Sequence, residues 1–564
     1  MKKKRLLIVG GVAGGASCAA RARRLSEDIE IVIFERGPHV SYANCGLPYY
    51  VGETITEEKN LFVSSPGLFR VWFDIDVRAN SNVLSIDRDK KRIEVQDLKT
   101  GNVYWESYDT LVLSPGAAPL RPKFEGVDTP GIFSLRTIQD SRDIINWIEE
   151  KKVKSVAVIG GGFIGLEMTE NLKQLGAEVF IIEREKQLMP VIDSEMAAFV
   201  HEHLDTNGVV LHLGSPVAGF KQAMDESISV MIASGKTLTV DMVLLTMGVR
   251  PEVELAKDCG LTIGELGGIL VDDQQRTSDE DIFAVGDAVQ TRDFITGRER
   301  LVPLAGPANR QGRTAADIIV GRNSELPRFR GVQASSICGV LGLTIASTGL
   351  TEKNLKGFAD DTGPYLYEKI YLESGHHAGY YPGAQMLTLK LIFSRDDGRI
   401  LGAQAVGKEG VDKRIDVIAM AIQMNGTVFD LEEAELCYAP QYGMAKDPVN
   451  VAGMIAANVL RGHFPIKHWD DPAASEAYII DVRGPEEFAE GHVQGAVNIP
   501  LNRLRAQMDQ LPRDREIWTY CRQGKASYFA ARILALHGFQ VRNVSGGLNI
   551  IKGGWSRDCR DNNG

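Results

Sequence analysis

The sequence predicts an α/β protein of several domains, and three observations lead to this fold class. An apolar strand, a glycine-rich turn, a helix and a second strand follow one another near the N-terminus, and the same order returns about 150 residues later. Alternating apolar runs between residues 326 and 447 are typical of antiparallel strands. The last 90 or so residues again alternate strand, turn and helix patterns, which indicates a separate small α/β domain.

Length and composition are those of a globular protein. At roughly 100–200 residues per domain, 564 residues suggest three or four domains. A hydrophobic content of 44% with 24% charged residues excludes wholesale disorder. The net charge is −11 and no long basic stripe follows the N-terminal lysines and arginines, which argues against a nucleic-acid-binding protein.

The N-terminus resembles a signal peptide, because basic residues precede the run LLIVGGVAGGASCAA. Its glycine density instead favours a buried parallel strand that enters a tight turn. No stretch reaches the ~18–20 apolar residues of a membrane span. We therefore expect a cytoplasmic protein without a membrane-spanning helix.

The seven cysteines are sparse and show no CxxC pair or zinc-ligand spacing, so the sequence predicts neither a disulfide framework nor a metal site. Sparse thiols fit a reducing compartment, where a cysteine with a role has it through reactivity. They are Cys18, Cys45, Cys259, Cys338, Cys437, Cys521 and Cys559.

The two strand–turn–helix–strand segments are predicted as Rossmann-like dinucleotide-binding units, one inserted within the other. Each is followed by an apolar strand that ends in glycine, Leu111–Gly116 for the first and Val243–Gly248 for the second. The predicted strands and helices are Leu6–Val9, Ala19–Leu25 and Ile29–Glu35 in the first, and Ser155–Ile159, Leu166–Leu175 and Glu178–Glu183 in the second.

The second glycine turn fits G-x-G-x-x-G with Gly160, Gly162 and Gly165. Glycine allows the backbone to approach a pyrophosphate, and the following helix presents unpaired N–H groups to that anion. Glu183 would accept a hydrogen bond from a ribose 2′-hydroxyl and repel a 2′-phosphate, which favours NADH over NADPH. The adjacent Arg184 weakens this preference, so both cofactors stay open.

The first glycine turn departs from this pattern, because Val12 stands at the middle position between Gly10 and Gly15. Glu35 is its candidate ribose acceptor. A later segment, TSDEDIFAVGD, places Asp287 directly after a strand and a glycine.

These segments occur in the order seen in the flavoprotein disulfide reductases with two dinucleotide domains, and the chain resembles that family. The resemblance implies FAD, with Asp287 on its ribityl chain, and NADH or NADPH. The cofactor-binding residues that we expect are Gly10, Val12, Ala13, Gly14, Gly15, Glu35, Arg36, Asn44, Ser114, Gly116, Gly160, Gly162, Phe163, Ile164, Gly165, Glu183, Gly286, Asp287, Pro303, Leu304 and Ala305.

The redox centre points to one branch of the family. The C-x-x-x-x-C pair of glutathione-reductase-like members is absent, and the segment SYANCGLP around Cys45 resembles the single-cysteine centre of coenzyme A disulfide reductases and NADH oxidases. One thiol must form a mixed disulfide with a small thiol or cycle through a sulfenic acid. Because the thiolate is the reactive form, we expect the site to lower the pKa of Cys45, through contact with the flavin and a helix N-terminus.

Several features resemble the coenzyme A branch in particular. Arginines cluster on the first helix, and two tyrosine-containing segments, YYPGA and YAPQYGMAK, match that family's dimerisation domain. The resemblance implies a homodimer in which Tyr380 and Tyr438 reach the partner's cysteine site as catalytic residues. It also implies coenzyme A contacts at Ser17, Arg21, Arg24, Ser41, Asn44, Asn309 and Lys446.

The C-terminal segment resembles a rhodanese domain, most clearly in DVRGPEEFAEGHVQGAVNIP and in the run that starts YCRQGKAS; Trp555 belongs to the same resemblance. Cys521 stands where rhodaneses carry a persulfide, in a loop whose N–H groups cradle an anion. Ala526 replaces a commonly found arginine, which leaves the activity of this domain and its sulfur donor open.

The predicted organisation is an FAD domain of residues 1–115 and 250–325, an NAD domain of 116–249, an α+β dimerisation domain of 326–461, a linker of 462–474 and a rhodanese domain of 475–564. The predicted function is NAD(P)H-dependent reduction of coenzyme A disulfide, coenzyme A persulfide or polysulfide through Cys45, with sulfane sulfur relayed by Cys521. The alternatives are an NADH oxidase or peroxidase that uses a Cys45 sulfenic acid, and a persulfide carrier or redox sensor.

Overall fold

The computed structural model describes residues 3–321, 328–357, 365–471, 474 and 476–551. Trp555 and Cys559 lie outside these residues. The chain forms two compact units: residues 1–184 with 214–334, and residues 185–213 with 335–564. Within the described ranges, every helix is too short or too polar to cross a membrane.

The first unit contains two parallel sheets and several small antiparallel ones. Elements are numbered along the whole chain. Its strands are β1 (Lys4–Val9), β2 (Ile29–Glu35), β3 (Asp76–Ala79), β4 (Ser81–Asp87), β5 (Arg92–Asp97), β6 (Val103–Ser107), β7 (Thr110–Leu113), β8 (Ala117–Pro119), β9 (Ile132–Phe133), β10 (Ser155–Ile159), β11 (Glu178–Ile182), β13 (Val217–Gln222), β14 (Ile228–Ile232), β15 (Thr237–Val240), β16 (Met242–Leu245), β17 (Val249–Pro251), β18 (Ile269–Leu270), β19 (Ile282–Ala284), β20 (Val289–Arg292) and β21 (Glu299–Arg300). Its helices are α1 (Ala13–Leu25), α2 (Leu47–Val51), α3 (Pro66–Phe73), α4 (Ile138–Lys151), α5 (Phe163–Gln174), α7 (Glu254–Asp258) and α8 (Ala305–Val320).

The second unit contains an antiparallel sheet and, at its C-terminal end, a parallel one. Its strands are β12 (Val210–His212), β22 (Ser336–Val340), β23 (Leu343–Gly349), β24 (Tyr367–Gly375), β25 (Met386–Ser394), β26 (Ile400–Gly407), β27 (Ile466–Lys467), β28 (Tyr478–Asp481), β29 (Val497–Asn498), β30 (Ile517–Tyr520) and β31 (Val541–Val544). Its helices are α6 (Ser194–Thr206), α9 (Glu352–Gly357), α10 (Val411–Gln423), α11 (Val428–Glu433), α12 (Pro448–Leu460), α13 (Pro485–Glu490), α14 (Leu501–Gln507), α15 (Lys525–Leu536) and α16 (Gly547–Ile551).

The two predicted dinucleotide-binding units each form a parallel sheet. The first has the strand order β19-β7-β1-β2-β3, with Leu6 opposite Ile31, and carries a hydrophobic core on each face. In the second, β10 lies between β11 and β16, and Ser155 is opposite Glu178. Nearly continuous apolar runs form these strands because both faces are covered.

The antiparallel sheet of the second unit has the order β22-β23-β26-β25-β24, so β24 is an edge strand. The C-terminal sheet is parallel, with the order β27-β31-β30-β28-β29. Its edge strand β27 lies inside the stretch 462–474 that the sequence predicts as a linker: Ile466 pairs with Asn543 and Lys467 with Val544. Part of that stretch therefore belongs to the C-terminal sheet.

Candidate active site

The two glycine turns have the same architecture. In the first, the Gly11 N–H donates to Glu35 Oε2 over 2.8 Å, and in the second the Gly161 N–H donates to Glu183 Oε2, also over 2.8 Å. Each acid that ends its second strand is thus held against its own turn. Burial raises the pKa of Glu35, and its two backbone donors, Gly11 and Gly37, counteract this. Each carboxylate retains lone pairs for ribose hydroxyls.

The glycines of the second turn serve different purposes. A Cβ on Gly165 would lie 2.2 Å from the Gly160 carbonyl oxygen, so this glycine lets the helix pack against the strand. A Cβ on Gly162 would meet no protein atom within 4 Å, although this residue is the N-cap of α5. Packing therefore does not require glycine at 162, whereas close approach of a pyrophosphate to the backbone does.

The half-buried Asp287 lies in the 3₁₀ turn Gly286–Ala288, which follows β19. Burial raises its pKa, and the Arg136 guanidinium lowers it. Among the described residues, its side chain has no hydrogen-bond partner, and the neighbouring Gly286 N–H donates to Gln311 Oε1 over 2.8 Å. A half-buried carboxylate of this kind can accept from a ligand hydroxyl, as FAD would supply from its ribityl chain. Ser114, Gly116 and the start of α8 at Pro303, Leu304 and Ala305 belong to the same unit.

Cys45 lies in a short 3₁₀ turn, Asn44–Gly46, and its side chain is exposed. Ser41, four residues earlier, has a left-handed φ of 47°, a conformation that costs free energy for a non-glycine residue. Its N–H donates to the Gly11 carbonyl oxygen over 2.8 Å, and its own carbonyl accepts from Val63 N–H. This backbone connects the cysteine segment to the first glycine turn.

The charges within the chain disfavour the Cys45 thiolate. Partial desolvation by the surrounding protein raises the pKa of Cys45, the carboxylates of Glu167 and Asp287 raise it further, and Arg136 lowers it. The chain's own groups therefore do not produce the lowered pKa that the sequence predicts. Glu167 lies on α5, and burial raises its pKa to about 7.

The predicted coenzyme A contacts on α1 are partly engaged with α8. Ser17 Oγ donates to Asn309 Oδ1, and Arg21 forms an ion pair with Asp317 over 2.7 Å. Arg23, which the sequence groups with these arginines, is buried and donates to the Phe73 and Asp74 carbonyl oxygens. Arg24 is exposed.

Tyr380 and Tyr438 are brought together in the second unit. Their hydroxyl oxygens are 2.9 Å apart, and both side chains are exposed, by 76% and 49%. The hydrogen bond with Tyr438 raises the pKa of Tyr380. Such a pair presents one phenolic proton that stays in place at neutral pH. Lys446 is also exposed in this unit.

A buried ion pair organises the segments that carry these side chains. The Arg414 guanidinium lies 2.7 Å from Asp447 Oδ2 and donates to the His376 carbonyl oxygen, also over 2.7 Å. His376 lies four residues before Tyr380, and Asp447 directly follows Lys446. Arg414 therefore fixes both segments at their bases.

Cys521 follows the end of β30 and is only 5% exposed. The Ser527 hydroxyl donates to its sulfur over 3.5 Å, and the Leu548 N–H donates to its carbonyl oxygen over 3.0 Å. Arg522, a candidate charge for this loop, forms an ion pair with Glu487.

The long C-terminal motif folds around a second buried pair. Arg483 donates to both Asp481 carboxylate oxygens and to the Gly491 carbonyl oxygen, which closes the motif into a loop.

Three family models match successive parts of the chain. The sequence model of the pyridine nucleotide-disulphide oxidoreductase family matches residues 4–312, that of its dimerisation domain matches 335–447, and that of the rhodanese-like domain matches 467–553. The chain belongs to the pyridine nucleotide-disulphide oxidoreductases. The predicted fold class, with a C-terminal rhodanese domain, is confirmed.

Similar members of this oxidoreductase family include two solved structures. The reduced CoADR-RHD of Bacillus anthracis is 45% identical with a TM-score of 0.93 and covers 97% of each chain. The NAD-dependent persulfide reductase of A. fulgidus is 36% identical with a TM-score of 0.89, covering 97% of this chain and 99% of that one.

Two similar sequences have different names. An NADH oxidase of Methanocaldococcus jannaschii is 36% identical over 79% of this chain and 97% of its own length. A coenzyme A disulfide reductase of Staphylococcus haemolyticus is 33% identical over 81% of this chain and 100% of its own length.

Two residues of this oxidoreductase's candidate site were not predicted from the sequence. Arg136 is the cation that acts on both Asp287 and Cys45, and Glu167 is the carboxyl whose charge acts on Cys45. The available sequence signal was slight: Glu167 stands two residues after the last glycine of the second turn, on the first turns of the same helix.

Proposed function

We propose that this oxidoreductase uses NADH to reduce coenzyme A persulfide and coenzyme A disulfide at Cys45, and that its rhodanese domain supplies sulfane sulfur to coenzyme A through Cys521. The observation that carries the proposal is the presence of two differently placed cysteines on one chain. Cys45 is exposed beside the first glycine turn, and Cys521 is buried at the end of a parallel strand. Similarity along the whole chain to CoADR-RHD and to a persulfide reductase supports it.

The proposed sulfur transfer is a thiol exchange without net electron change. The coenzyme A thiolate attacks the outer sulfur of a Cys521 persulfide, the S–S bond to Cys521 Sγ breaks, and Cys521 leaves as a thiolate. The Cys45 thiolate then attacks the inner sulfur of coenzyme A persulfide, forms a mixed disulfide and expels hydrosulfide.

FAD would pass the two electrons of a hydride from NADH to that mixed disulfide, which yields the Cys45 thiolate, coenzyme A thiol and NAD⁺. Glu35 and Asp287 would bind hydroxyl groups of FAD, and Glu183 would favour NADH over its 2′-phosphorylated form, NADPH. The Tyr380–Tyr438 pair would come from the partner subunit of a homodimer and donate a hydrogen bond to the leaving sulfur. The proposed coenzyme A contacts remain Ser17, Arg21, Arg24, Ser41, Asn44, Asn309 and Lys446.

The test compares anaerobic NADH consumption and sulfide release with coenzyme A persulfide, coenzyme A disulfide and oxygen as separate acceptors. We expect stoichiometric sulfide from the persulfide, and loss of both coenzyme A activities in Cys45→Ser. Cys521→Ser should keep both coenzyme A activities. It should lose only the NADH consumption seen when polysulfide is the sulfur source and coenzyme A is present in catalytic amounts. Cys437→Ser, which changes another exposed cysteine, is the control.

The second candidate is an NADH oxidase, which the name of the M. jannaschii relative supports. Here Cys45 would cycle through a sulfenic acid. Consumption of NADH by oxygen alone, with both coenzyme A substrates ignored, would replace the first proposal with this one.

A further inference from the structure

The rhodanese domain docks on the edge strand β24 through the peptide segment that braces the Cys521 loop. The Leu548 N–H donates to the Cys521 carbonyl oxygen and the Asn549 N–H donates to the Arg522 carbonyl oxygen, each over 3.0 Å. Residues of α16 therefore hold the backbone of Cys521 and Arg522 in place by hydrogen bonds. A Cβ on Gly547 would lie 2.3 Å from the Cys521 carbonyl oxygen, which shows how closely the two segments approach.

This bracing segment is itself anchored to β24. The Asn549 side-chain amide donates to Glu373 Oε2 over 2.5 Å, and the Tyr371 N–H, on the outer edge of the sheet, donates to Ser545 Oγ over 3.1 Å. The Trp469 indole N–H donates to the Gly547 carbonyl oxygen over 2.9 Å. Glu373 is the charged partner in this set, and hydrogen bonds to ionised acceptors are the strong ones.

The anchor extends into a buried charge cluster, the Lys390 cluster, formed by Lys390 with the carboxylates of Asp193, Glu195 and Glu352. The Tyr371 hydroxyl donates to Glu195 over 2.8 Å, so β24 is fixed on its inner side as well. One carboxylate oxygen from each of these three acids lies within 4.8 Å of the others, a spacing that could also hold a metal ion. The Lys390 ammonium already lies between them, with its side chain fully buried, and this explains their convergence.

We propose that Glu373 is a positioning residue for sulfur transfer at Cys521. Its carboxylate holds Asn549, whose backbone holds the Cys521 loop, so a group on the dimerisation domain sets the geometry of a thiol in the rhodanese domain. A misplacement of about 1 Å at a reacting atom can slow a reaction by about 10²-fold. This inference rests on the proposed relay through Cys521.

The experiment uses the full-length protein with Cys45→Ser, so that the reductase does not consume the product. Cys521 is loaded with inorganic polysulfide, excess polysulfide is removed, and coenzyme A is added while coenzyme A persulfide is followed in a single turnover. Glu373→Ala should slow the transfer by about tenfold or more, because the Cys521 sulfur is then held less accurately for attack. Glu373→Gln, which keeps an acceptor for the Asn549 amide, should retain most of the rate.

An exchanged pair distinguishes positioning from a general loss of folding. Asn549→Asp places two carboxylates against each other and should also be slow, whereas Glu373→Gln with Asn549→Asp restores an amide–carboxylate pair and should recover the rate. Glu432→Ala is the matched control, because the Glu432 carboxylate also accepts charge-assisted hydrogen bonds, from the Arg461 guanidinium, and lies in the same unit as Glu373.

The possible failures can be told apart. If the protein without substitutions at 373 and 549 transfers no sulfur to coenzyme A, the proposed relay is wrong. If it transfers sulfur and Glu373→Ala is as fast, or if Glu432→Ala is equally slow, the positioning role is wrong. With the Cys45 thiol restored, coenzyme A disulfide reduction should be unchanged by Glu373→Ala.

Discussion

Replacing Arg414 with methionine tests whether one buried ion pair holds the tyrosine-containing segments. Arg414 is 1% exposed and its partner Asp447 is 3% exposed. Methionine keeps much of the volume and removes the charge, so the Asp447 carboxylate loses its main counter-ion and two carbonyl oxygens, of His376 and Gly410, lose a donor. We expect lower stability of the second unit and slower reduction of coenzyme A disulfide, with normal reduction of the flavin by NADH in the other unit.

The size of the effect follows from the contacts that remain. Removal of one partner from a buried pair costs about 3–5 kcal/mol. Lys413 stays 3.7 Å from Asp447, and Asp447 still caps α12 by accepting from the Val449 N–H, so about 3 kcal/mol is the better figure. For a domain of 150–250 residues this lowers the melting temperature by about 6–12 °C. Differential scanning calorimetry of the FAD-loaded protein measures it.

Arg399→Met is the matched control, because Arg399 forms an exposed ion pair with Asp397 over 2.9 Å in the same unit. Such a pair contributes only about 0–1 kcal/mol. If both variants melt within a degree or two of each other, or if Arg414→Met reduces coenzyme A disulfide at the normal rate, the reasoning about this pair is refuted.

Three further predictions test other parts of the molecule. Gly162→Ala should fold normally and raise the KM for NADH in steady-state assays, whereas Gly165→Ala should lower the melting temperature; equal effects would contradict the different space around the two positions. Lys390→Met should destabilise the second unit most at neutral pH, where the carboxylates of the Lys390 cluster are ionised, and melting curves should converge with those of the unmodified protein as the pH falls below about 4–5. Glu167→Gln should lower the pKa of Cys45, because it removes a negative charge. The pH dependence of Cys45 alkylation by iodoacetamide measures this pKa, and an unchanged or higher value would disprove the prediction.

The titration of Glu352 determines how the destabilisation by Lys390→Met changes with pH. Burial raises the pKa of Glu352, but the ammonium groups of Lys390 and Lys369 lower it by more. The pKa of Glu352 is therefore well below its ordinary value. A carboxyl with a lowered folded-state pKa contributes stability above its unfolded pKa and loses that contribution as the pH falls through the folded one. Without Lys390, only Lys369 still lowers the pKa of Glu352, so most of this contribution is lost and burial of the remaining charge becomes a cost at neutral pH.

Local sequence patterns predicted the strands of the nucleotide-binding units closely. Ile29–Glu35 and Ser155–Ile159 have the predicted bounds, because continuous apolar runs between turn residues leave few alternatives. The first helix begins at Ala13, six residues before its predicted start. Its glycines look like a turn, but a Cβ on Gly312 of α8 would lie 2.2 Å from the Gly14 carbonyl oxygen, and this close helix packing needs small residues inside the helix.

Long-range contacts account for what the sequence did not reveal. Arg136 precedes helix α4 without a motif, and only the fold brings its charge to Asp287 and Cys45. The role of Arg23 was equally invisible, since an arginine run on a helix does not show which member is buried against backbone carbonyls. The glycine turns are recognisable because a ligand imposes their spacing. The roles of these two arginines depend instead on residues far away in the sequence, which no local pattern reveals.

The docking of the rhodanese domain bears on how sulfur would travel between the two cysteines. Four polar contacts join β24 to this domain: two from Tyr371 and Glu373, a hydrogen bond between Glu368 and His468, and an ion pair between Lys369 and Asp470. At about 0.5–1.5 kcal/mol for each contact, detachment costs several kcal/mol, and every 1.4 kcal/mol lowers the detached population tenfold. A swinging rhodanese domain would therefore be rare at equilibrium. A diffusible carrier with a long flexible arm avoids that cost, and the pantetheine arm of coenzyme A has this form, which is a physical reason to favour coenzyme A over direct contact between the two thiols.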